Sequence, residues 1–331
     1  MAIINVVLSG GVGSRIWPLS RKSRPKQYLP IFEGATLFQK TVIRNASFCD
    51  LVMVVGNIEN YQLSRNELQS AGISNYKELI EACPRNTAAA IAFAAFASDP
   101  DDVLFVTPSD HLIEADEAYM KAIRRALLLA RNGSIVTFGL KPNKPETGFG
   151  YIEADGEDVK SFREKPSIET AKEFIQNGNF LWNSGMFCFQ SKVFLEELRK
   201  MEPKVFESSK KVFENSDNGK FDEQLSLQIP AISVDYAVME KTEKIKVVQA
   251  DFAWSDMGSF ESIYEYFIEK GYPVDDSGNM VIGTDLHTEF FGMKNTMLIH
   301  TTDAILVLEK EHAQGVKKIF ERLEKEKPEL V

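Results

Sequence analysis

Cysteine and histidine are scarce in this sequence. Its 331 residues include four histidines and three cysteines, Cys49, Cys83 and Cys188. The number of cysteines is odd, their spacing is wide and no C-x-x-C pair occurs, which argues against a disulfide framework and predicts reduced thiols in a cytoplasmic protein. Cys188 stands between two phenylalanines and is predicted to lie in the core.

Long apolar runs and an excess of positive charge are also absent. No hydrophobic stretch approaches the length of a membrane span, and residues 1–5 lack the basic region that begins a signal peptide. The net charge of −10 disfavours binding to nucleic acid or to an anionic membrane. The length and the hydrophobic content of 44% predict one large globular domain or two.

The two commonest phosphate-binding motifs are missing, although a glycine-rich turn is present. The apolar run Ile3–Leu8 predicts a buried strand, and the turn Ser9-Gly-Gly-Val-Gly13 follows it. A Walker loop would end in Gly-Lys-Ser/Thr, but the first Gly-Lys pair is Gly219-Lys220, far downstream. A dinucleotide fingerprint would need glycine at Ile16 and a continuing helix, which Trp17-Pro18 disfavours.

The segment after this turn is rich in cations. Its charged residues up to Gln27 are all basic: Arg15, Arg21, Lys22, Arg24 and Lys26. Backbone N–H groups left bare by glycine beside such a group of cations suit a polyphosphate, so we predict a nucleoside triphosphate site. The alternative for the glycines alone is an ordinary turn with solvated basic residues.

Strand and helix patterns alternate through the first half of the chain. The predicted strands and helices are, in order, 51–55, 59–70, 86–97, 102–107, 117–131 and 134–138. This alternation predicts an α/β, Rossmann-like domain with a mostly parallel sheet and helices on both faces. Ligands of such sheets bind at the carboxyl ends of strands, so the glycine turn and Pro108–His111 are predicted to share one edge.

The pattern changes near the end of the chain. From Asp275, short apolar pieces alternate with Gly, Asn and Asp at intervals of about eight residues, as in short β rungs or hairpins. We therefore predict a main domain over residues 1–272 and a small β-rich, short β-helix-like module with a terminal helix over 273–331. This module is predicted to pack on the main domain or on a second subunit of a homodimer.

Two aspartates are candidates for a metal site. Asp110 follows a predicted strand, and Asp256 stands beside Gly258 before a helical segment. Carboxylates in such places can hold Mg²⁺, which usually takes one or two of them on a phosphate substrate. Asp110 can instead cap a turn, and Asp256 can cap the helix. His111 has no paired nucleophile and is predicted to be an ordinary loop histidine.

Two segments offer groups for a hydroxylated ligand. Glu164-Lys165-Pro166 ends a predicted strand and is either an exposed ion pair or a site where Lys165 binds a sugar phosphate and Glu164 accepts hydroxyl hydrogen bonds. Asn183, which can both donate and accept, lies in an aromatic strand where Gly185 predicts a bulge or the close approach of a ligand.

These segments resemble the signatures of sugar-1-phosphate nucleotidylyltransferases. The Trp-Pro-Leu-Ser-Arg and Pro-Lys-Gln pieces of Leu8–Gln27 resemble in particular the bacterial mannose-1-phosphate guanylyltransferases, or GDP-mannose pyrophosphorylases. The other matching pieces follow in the family's order over about residues 3–320: Pro84–Ile91, Gly148–Tyr151, Phe162–Pro166, Trp182–Phe187, Ser233–Glu240 and Trp254–Phe260. Each piece alone is weak, whereas the ordered set is specific.

The resemblance implies that GMP passes from GTP to α-D-mannose 1-phosphate, giving GDP-mannose and pyrophosphate, with Mg²⁺ as cofactor. Arg15 and Lys26 are then expected to stabilise the departing pyrophosphate, and Asp110 and Asp256 to hold Mg²⁺. The expected nucleotide-binding residues are Leu8, Ser9, Gly10, Gly11, Gly13, Ser14, Arg15, Arg85, Asn86 and Thr87. The expected sugar-phosphate-binding residues are Asp110, Gly150, Glu164, Lys165 and Asn183.

Two alternatives stay open. The protein can act on another nucleotide or another sugar phosphate, such as a manno-heptose 1-phosphate, because pocket shape decides this choice. It can also be a catalytically silent sensor that binds GDP-mannose, although such a sensor is expected to lose Arg15, Lys26 or an acidic metal ligand, and all are present. The chain ends at Val331, and we expect the form without the isomerase domain of longer, bifunctional relatives.

Overall fold

The computed structural model describes all residues, 1–331, and groups them into two compact units. The first unit comprises Met1–Gly10, Thr41–Ser109 and Ile113–Ala253. The second unit comprises Gly11–Lys40, Asp110–Leu112 and Trp254–Val331.

The strands and helices are numbered in chain order. The strands are β1 (Ile3–Ser9), β2 (Leu51–Asn57), β3 (Tyr76–Glu81), β4 (Val103–Pro108), β5 (Leu112–Ile113), β6 (Ile135–Leu140), β7 (Gly150–Asp155), β8 (Asp158–Glu164), β9 (Phe180–Gln190), β10 (Ile245–Ala250), β11 (Trp254–Ser255), β12 (Met280–Ile282), β13 (Thr296–His300) and β14 (Ile305–Glu309). The α-helices are α1 (Leu37–Ala46), α2 (Tyr61–Ser70), α3 (Asn86–Phe96), α4 (Glu117–Arg131), α5 (Ile168–Asn177), α6 (Ser191–Met201), α7 (Pro203–Glu214), α8 (Glu223–Ser226), α9 (Phe260–Glu269) and α10 (Val316–Glu326).

A nine-stranded sheet runs through the first unit in the order β3-β2-β1-β4-β9-β6-β10-β8-β7. The strands from β3 to β4 are parallel, and so are β6 and β10. β9 lies between β4 and β6 and is antiparallel to both, and β7 and β8 form an antiparallel hairpin. The predicted α/β class is confirmed, and β9 together with the hairpin makes the sheet mixed.

Helices cover both faces of this sheet. On one face, Ile4 and Val6 of β1 share a core with the buried alanines of α3, whose small side chains let the helix lie close to the sheet. On the other face, Asn5 accepts a hydrogen bond from Asn45 of α1 at 3.2 Å, and Asn45 accepts one from Tyr119 of α4 at 2.6 Å. The alternation of side chains along β1 therefore separates the two helical layers.

The centre of the sheet contains the irregularity that the sequence predicted. Gly185 in β9 has a φ of 72°, and the register between β6 and β9 shifts between Thr137 and Gly139. A bulge of this kind turns the side chains of a strand away from simple alternation. The neighbouring Cys188 is buried, as expected, and burial raises the pKa of its thiol.

The second unit has its own core. Strands β12 and β13 are parallel, β14 is antiparallel to β13, and side chains of α9 and α10 pack with them. This core also contains Ile16 and Trp17, so the contacts group residues 11–40 and α9 with the C-terminal strands. The boundary near residue 272 stays a prediction. The apolar piece around Phe290 forms no strand, and Phe291 is 99% exposed.

No helix in the structure combines the length and apolar character that a membrane span requires.

Candidate functional site

The glycine turn has open space beside its backbone. A Cβ placed on Gly10, in the first unit, or on Gly11, in the second, would meet no atom within 4 Å. Gly13 differs, because its φ is 79° and a Cβ there would lie 2.5 Å from the Cβ of Lys26. The turn thus needs glycine at position 13 for its own fold, and it leaves the backbone at 10 and 11 accessible to a ligand.

The Pro-Lys-Gln piece holds this turn from within the second unit. The backbone N–H of Lys26 donates to the carbonyl of Val12 at 3.1 Å, and the Gln27 amide donates to the carbonyl of Gly11 at 3.0 Å. Two short 3₁₀-helical turns, Ser14–Ile16 and Lys26–Tyr28, lie at the two ends of the segment that follows the glycine turn. The distant pieces of the Leu8–Gln27 signature therefore form one structure.

The ammonium group of Lys26 joins the two candidate metal ligands. Its Nζ lies 2.8 Å from Oδ2 of Asp110 and donates to the main-chain oxygen of Asp256 at 2.7 Å, although the Lys26 side chain is only 5% exposed. These three residues belong to the second unit. The structure thus brings together three of the four residues that the sequence nominated as catalytic.

Asp110 is held in its ionised form. Burial would raise the pKa of its carboxyl group, but the positive charge of Lys26 and the hydrogen bond from its ammonium outweigh burial and lower the pKa below its ordinary value. His111 accepts a hydrogen bond from the Trp254 indole at 3.3 Å. This contact agrees with an ordinary loop histidine.

Asp256 does not cap the helix that follows it. The N-cap of α9 is Ser259, which forms a capping box with Ser262. The carboxylate of Asp256 instead accepts the Gly258 N–H through Oδ1 at 3.1 Å, and Oδ2 has no hydrogen bond. The structure therefore excludes the cap interpretation.

The second unit can supply oxygen ligands to a divalent cation. Oδ2 of Asp256 is free of hydrogen bonds, and Asp110 Oδ1 lies 3.7 Å from the His111 ring. Magnesium prefers hard oxygen ligands and on a phosphate substrate uses one or two carboxylates. The donor set of Asp110 and Asp256 thus fits Mg²⁺.

The other basic residues of the segment from Arg15 to Lys26 fall into two groups. Arg21 pairs with Asp303 at 2.8 Å and Lys22 with Glu324 at 2.6 Å, so both hold the second unit together. The side chains of Arg15 and Arg24 make no hydrogen bond or ion pair with the protein. A guanidinium without a protein partner is available for an anionic ligand, and Arg15 stands two residues after Gly13, where the glycine turn ends.

A second set of predicted residues meets in the first unit. Gly150 pairs with Glu164 across the β7–β8 hairpin, and a Cβ on Gly150 would lie 2.5 Å from Oε2 of Glu164 and 3.4 Å from the Cβ of Asn183. Glu164 is 8% exposed and Lys165 is 57% exposed, with 3.0 Å between Glu164 Oε1 and Lys165 Nζ. The ion pair exists, but it is not a fully exposed one.

The carboxylate of Glu164 has an unused acceptor. Its Oε2 is buried and has no hydrogen-bond partner. Leaving such an atom unpaired is costly, and a ligand hydroxyl that donates to it would remove the cost. This observation favours a hydroxylated ligand beside Gly150.

The amide of Asn183 is fixed by its neighbours. Its Nδ2 donates to Asp235 at 3.1 Å, while its Oδ1 accepts from Thr137 at 3.0 Å and from the Gly185 N–H at 3.1 Å. The bulge at Gly185 provides the last of these bonds. Only one amide hydrogen remains for a ligand, so Asn183 can donate to a sugar hydroxyl more readily than it can accept from one.

Sequence reasoning missed Asp235 as a member of this group. Burial raises the pKa of Asp235 to about 6, and the charge of Glu164 adds to the effect. Asp235 begins a π-helical turn, Asp235–Met239, a form that is frequent at functional sites. Its position in the segment Ser233–Glu240, which carries part of the resemblance, was the available signal.

The predicted residues at the start of α3 are tied to another segment of the first unit. Arg85 donates to the carbonyl of Ile229 at 2.6 Å, and the hydroxyl of Thr87 accepts from the Val234 N–H at 2.9 Å. Asn86 has a φ of 68°, and its side chain accepts from the N–H of Thr87. Nucleotide binding by these three residues stays a prediction, and their visible contacts order the backbone.

Comparison with known proteins places this geometry in context. The family model described as Nucleotidyl transferase matches residues 4–270. Mannose-1-phosphate guanylyltransferase 2 of Escherichia coli O157:H7 is 36% identical over 97% of this chain and 73% of its own length.

Two solved structures are also similar. The mannose-1-phosphate geranyltransferase of Thermus thermophilus has a TM-score of 0.84 and 30% identity, covering 98% of this chain and all of the other. The mannose-6-phosphate isomerase of Helicobacter pylori has a TM-score of 0.72 and 41% identity, covering 77% of this chain and all of the other.

Proposed function

The chain belongs to the nucleotidyl transferase family, and from that premise we propose that it transfers GMP from GTP to α-D-mannose 1-phosphate. The products are GDP-mannose and pyrophosphate. The observation that carries the proposal is the buried ammonium of Lys26, which joins Asp110 to the backbone of Asp256 beneath the glycine turn. An anchored cation, two acidic residues and bare backbone N–H groups suit a triphosphate bound with a metal ion.

The reaction needs no general base. A phosphate oxygen of the sugar phosphate, already ionised at neutral pH, attacks the α-phosphorus of GTP and forms the new P–O bond. The bond from the α-phosphorus to the oxygen that bridges to the β-phosphorus breaks, and pyrophosphate leaves with the electron pair. Catalysis is then positioning and charge neutralisation. This agrees with a sequence that offers no Ser-His or Cys-His pair.

Four residues of the second unit are assigned to the triphosphate and its metal ion. Asp110 and Asp256 would hold Mg²⁺, which when bound offsets negative charge on the α-phosphate. Arg15 and Lys26 stabilise the departing pyrophosphate. The backbone of the glycine turn, including Ser14, binds the phosphates.

The first-unit residues around Gly150 are assigned to the acceptor, whereas Arg85, Asn86 and Thr87 of the same unit are assigned to the nucleotide. Lys165 positions the sugar phosphate through its exposed ammonium group. Oε2 of Glu164 accepts from a sugar hydroxyl, Asn183 donates to another, and glycine at position 150 leaves the room that they need.

Pyrophosphate release from each of four nucleoside triphosphates, with mannose, glucose and manno-heptose 1-phosphates as acceptors, tests the proposal. We expect the largest kcat/KM for GTP with mannose 1-phosphate. Activity confined to a pyrimidine nucleotide would overturn the guanylyl assignment. Binding of GDP-mannose without any pyrophosphate release would identify a sensor instead.

Glu164→Gln is expected to raise KM for the sugar phosphate by roughly 10-fold or more, because a hydrogen bond to a charged acceptor is lost. KM for GTP should stay within about 2-fold, since this group does not serve the nucleotide. Glu153→Gln on the same hairpin is the matched control, since Glu153 bonds to Ser161 on the neighbouring strand. An unchanged KM for the sugar phosphate in Glu164→Gln would contradict the assignment.

A further inference from the structure

The side chain of Arg15 has no protein partner that orients it. It makes no hydrogen bond or ion pair, yet the proposed function needs its guanidinium at the departing pyrophosphate. Arg15 is the middle residue of the short 3₁₀-helical turn Ser14–Ile16. A side chain without contacts of its own is directed by its backbone, so whatever fixes this turn also positions Arg15.

Hydrogen bonds close the chain into a loop around Arg15. The backbone N–H of Ile16 donates to the carbonyl of Gly13 at 3.1 Å, and the hydroxyl of Ser20 donates to the same carbonyl at 2.7 Å. The backbone N–H of Ser20 also donates to the carbonyl of Ile16 at 3.3 Å. The loop of residues 13–20 is therefore held internally, and its orientation depends on what anchors it to the rest of the second unit.

Trp17 anchors this loop to the segment that follows α10. Its indole Nε1 donates to the carbonyl of Leu330 at 2.6 Å, although the two residues are 313 positions apart in the sequence. The Trp17 side chain is 6% exposed and packs in the same core as Phe320, Leu323 and Val331. A buried indole needs an acceptor for its N–H, and a main-chain oxygen of the second unit supplies it here.

A second link between the same two parts of the chain is of a different kind. Lys22 pairs with Glu324 of α10 at 2.6 Å, but the two side chains are 45% and 43% exposed. Exposed ion pairs contribute little to holding a structure in place. The buried bond of Trp17 is therefore the better anchor, and Lys22 offers a matched control.

We infer that Trp17 is a positioning residue for nucleotidyl transfer: its bond to the Leu330 carbonyl holds the loop of residues 13–20 so that Arg15 faces the departing pyrophosphate. The inference rests on the proposed function, and it adds the segment after α10 to the groups on which that function depends. The role is indirect, since Trp17 acts through Arg15. The competing interpretation is that Trp17 only fills the core and contributes stability.

Trp17→Phe removes the N–H donor and keeps an aromatic ring in the core. We expect kcat/KM for GTP to fall by roughly 10-fold or more, because a small displacement of a positioned group slows the reaction strongly. KM for pyrophosphate in the reverse reaction should rise, whereas KM for mannose 1-phosphate should stay within about 2-fold. Removal of Leu330 and Val331 takes away the acceptor instead of the donor and should give the same pattern.

The control variant is Lys22→Ala, which breaks the exposed link and leaves the indole bond in place. It should keep kcat/KM for GTP and both KM values within about 2-fold of the parent. A loss in Lys22→Ala as large as that in Trp17→Phe would show that any weakened contact with α10 has the effect, and the inference would be wrong.

A double-mutant cycle separates positioning from stability. If Trp17 acts through Arg15, Trp17→Phe should lower kcat/KM by less than about 2-fold in the Arg15→Ala background, because the group to be positioned is already gone. Losses that multiply in the double variant, or full kcat/KM in Trp17→Phe, would leave Trp17 a core residue only. Should Trp17→Phe not fold, the chain without Leu330 and Val331 carries the same cycle.

The two proposals fail in different ways. A parent protein that releases no pyrophosphate from GTP and mannose 1-phosphate would refute the proposed function, and the inference with it. Losses that multiply in an active parent would overturn only the inference about Trp17.

Discussion

Asp256→Asn is expected to lower kcat by roughly 10²- to 10⁴-fold, because a carboxylate that holds the metal ion on the α-phosphate loses its charge. The melting temperature should stay within about 4 °C of the parent. The contact with Lys26 uses the main-chain oxygen of Asp256, which the substitution leaves in place. Steady-state pyrophosphate release over a magnesium titration, together with thermal unfolding, measures both effects.

Of the two aspartate substitutions, Asp110→Asn is harder to interpret than Asp256→Asn, because it also affects stability. Its carboxylate lies 2.8 Å from the buried ammonium of Lys26, and removing the carboxylate's charge leaves that ammonium uncompensated. The folded-state pKa of Asp110 is lowered, so its contribution to stability is present above the ordinary carboxyl pKa and is lost as the pH falls through the folded value. The stability difference between parent and Asp110→Asn should therefore shrink only in acid.

The exposed Asp251 provides the control for Asp256→Asn. Asp251→Asn removes the same charge five residues away and should leave kcat within about 2-fold. Near-normal turnover in Asp256→Asn would remove Asp256 from the metal site. A loss of turnover accompanied by a large fall in melting temperature would show a structural role.

The alternating first half was predictable because its strands are continuous apolar runs and its helices have a clear face, as in Glu117–Arg131, whose predicted bounds match α4. Strand β3, Tyr76–Glu81, was missed because charged residues interrupt its apolar pattern. The antiparallel insertion of β9 depends on long-range pairing with β4 and β6, which no local pattern encodes. Local propensity finds elements and leaves their order in the sheet open.

The candidate site, like the fold, could be predicted from the sequence only in part. Residue chemistry nominated Asp110 and Asp256, the family resemblance added Lys26, and the fold brings these three together. Which cations face a ligand could not be predicted, because Arg21 and Lys22 find acidic partners more than 270 residues away in sequence. The unpaired Oε2 of Glu164 was equally hidden, since only the folded state shows that a buried carboxylate oxygen lacks a partner.

Arg15→Ala is expected to lower kcat/KM for GTP by roughly 10²-fold or more, as when one donor to a developing oxyanion is removed. The reverse reaction should show a raised KM for pyrophosphate, because Arg15 is assigned to that group. Stability should hardly change, since the Arg15 side chain has no hydrogen bond or ion pair to lose. Pyrophosphorolysis of GDP-mannose and thermal unfolding measure the two effects separately.

Two neighbouring arginines decide whether the effect belongs to Arg15 or to positive charge in general. Arg21→Ala breaks the ion pair with Asp303 and should lower the melting temperature. At a temperature where the variant is folded, kcat/KM should change by less than about 5-fold.

Arg24→Ala removes an exposed cation that also lacks a partner, and a long-range effect of positive charge would make this variant resemble Arg15→Ala. High salt should then abolish the difference from the parent, because exposed charges are screened within about 10 Å at 0.1 M. A loss confined to Arg15→Ala and retained in salt would mean direct contact with the phosphates, whereas equal losses in both variants would remove Arg15 from the pyrophosphate site.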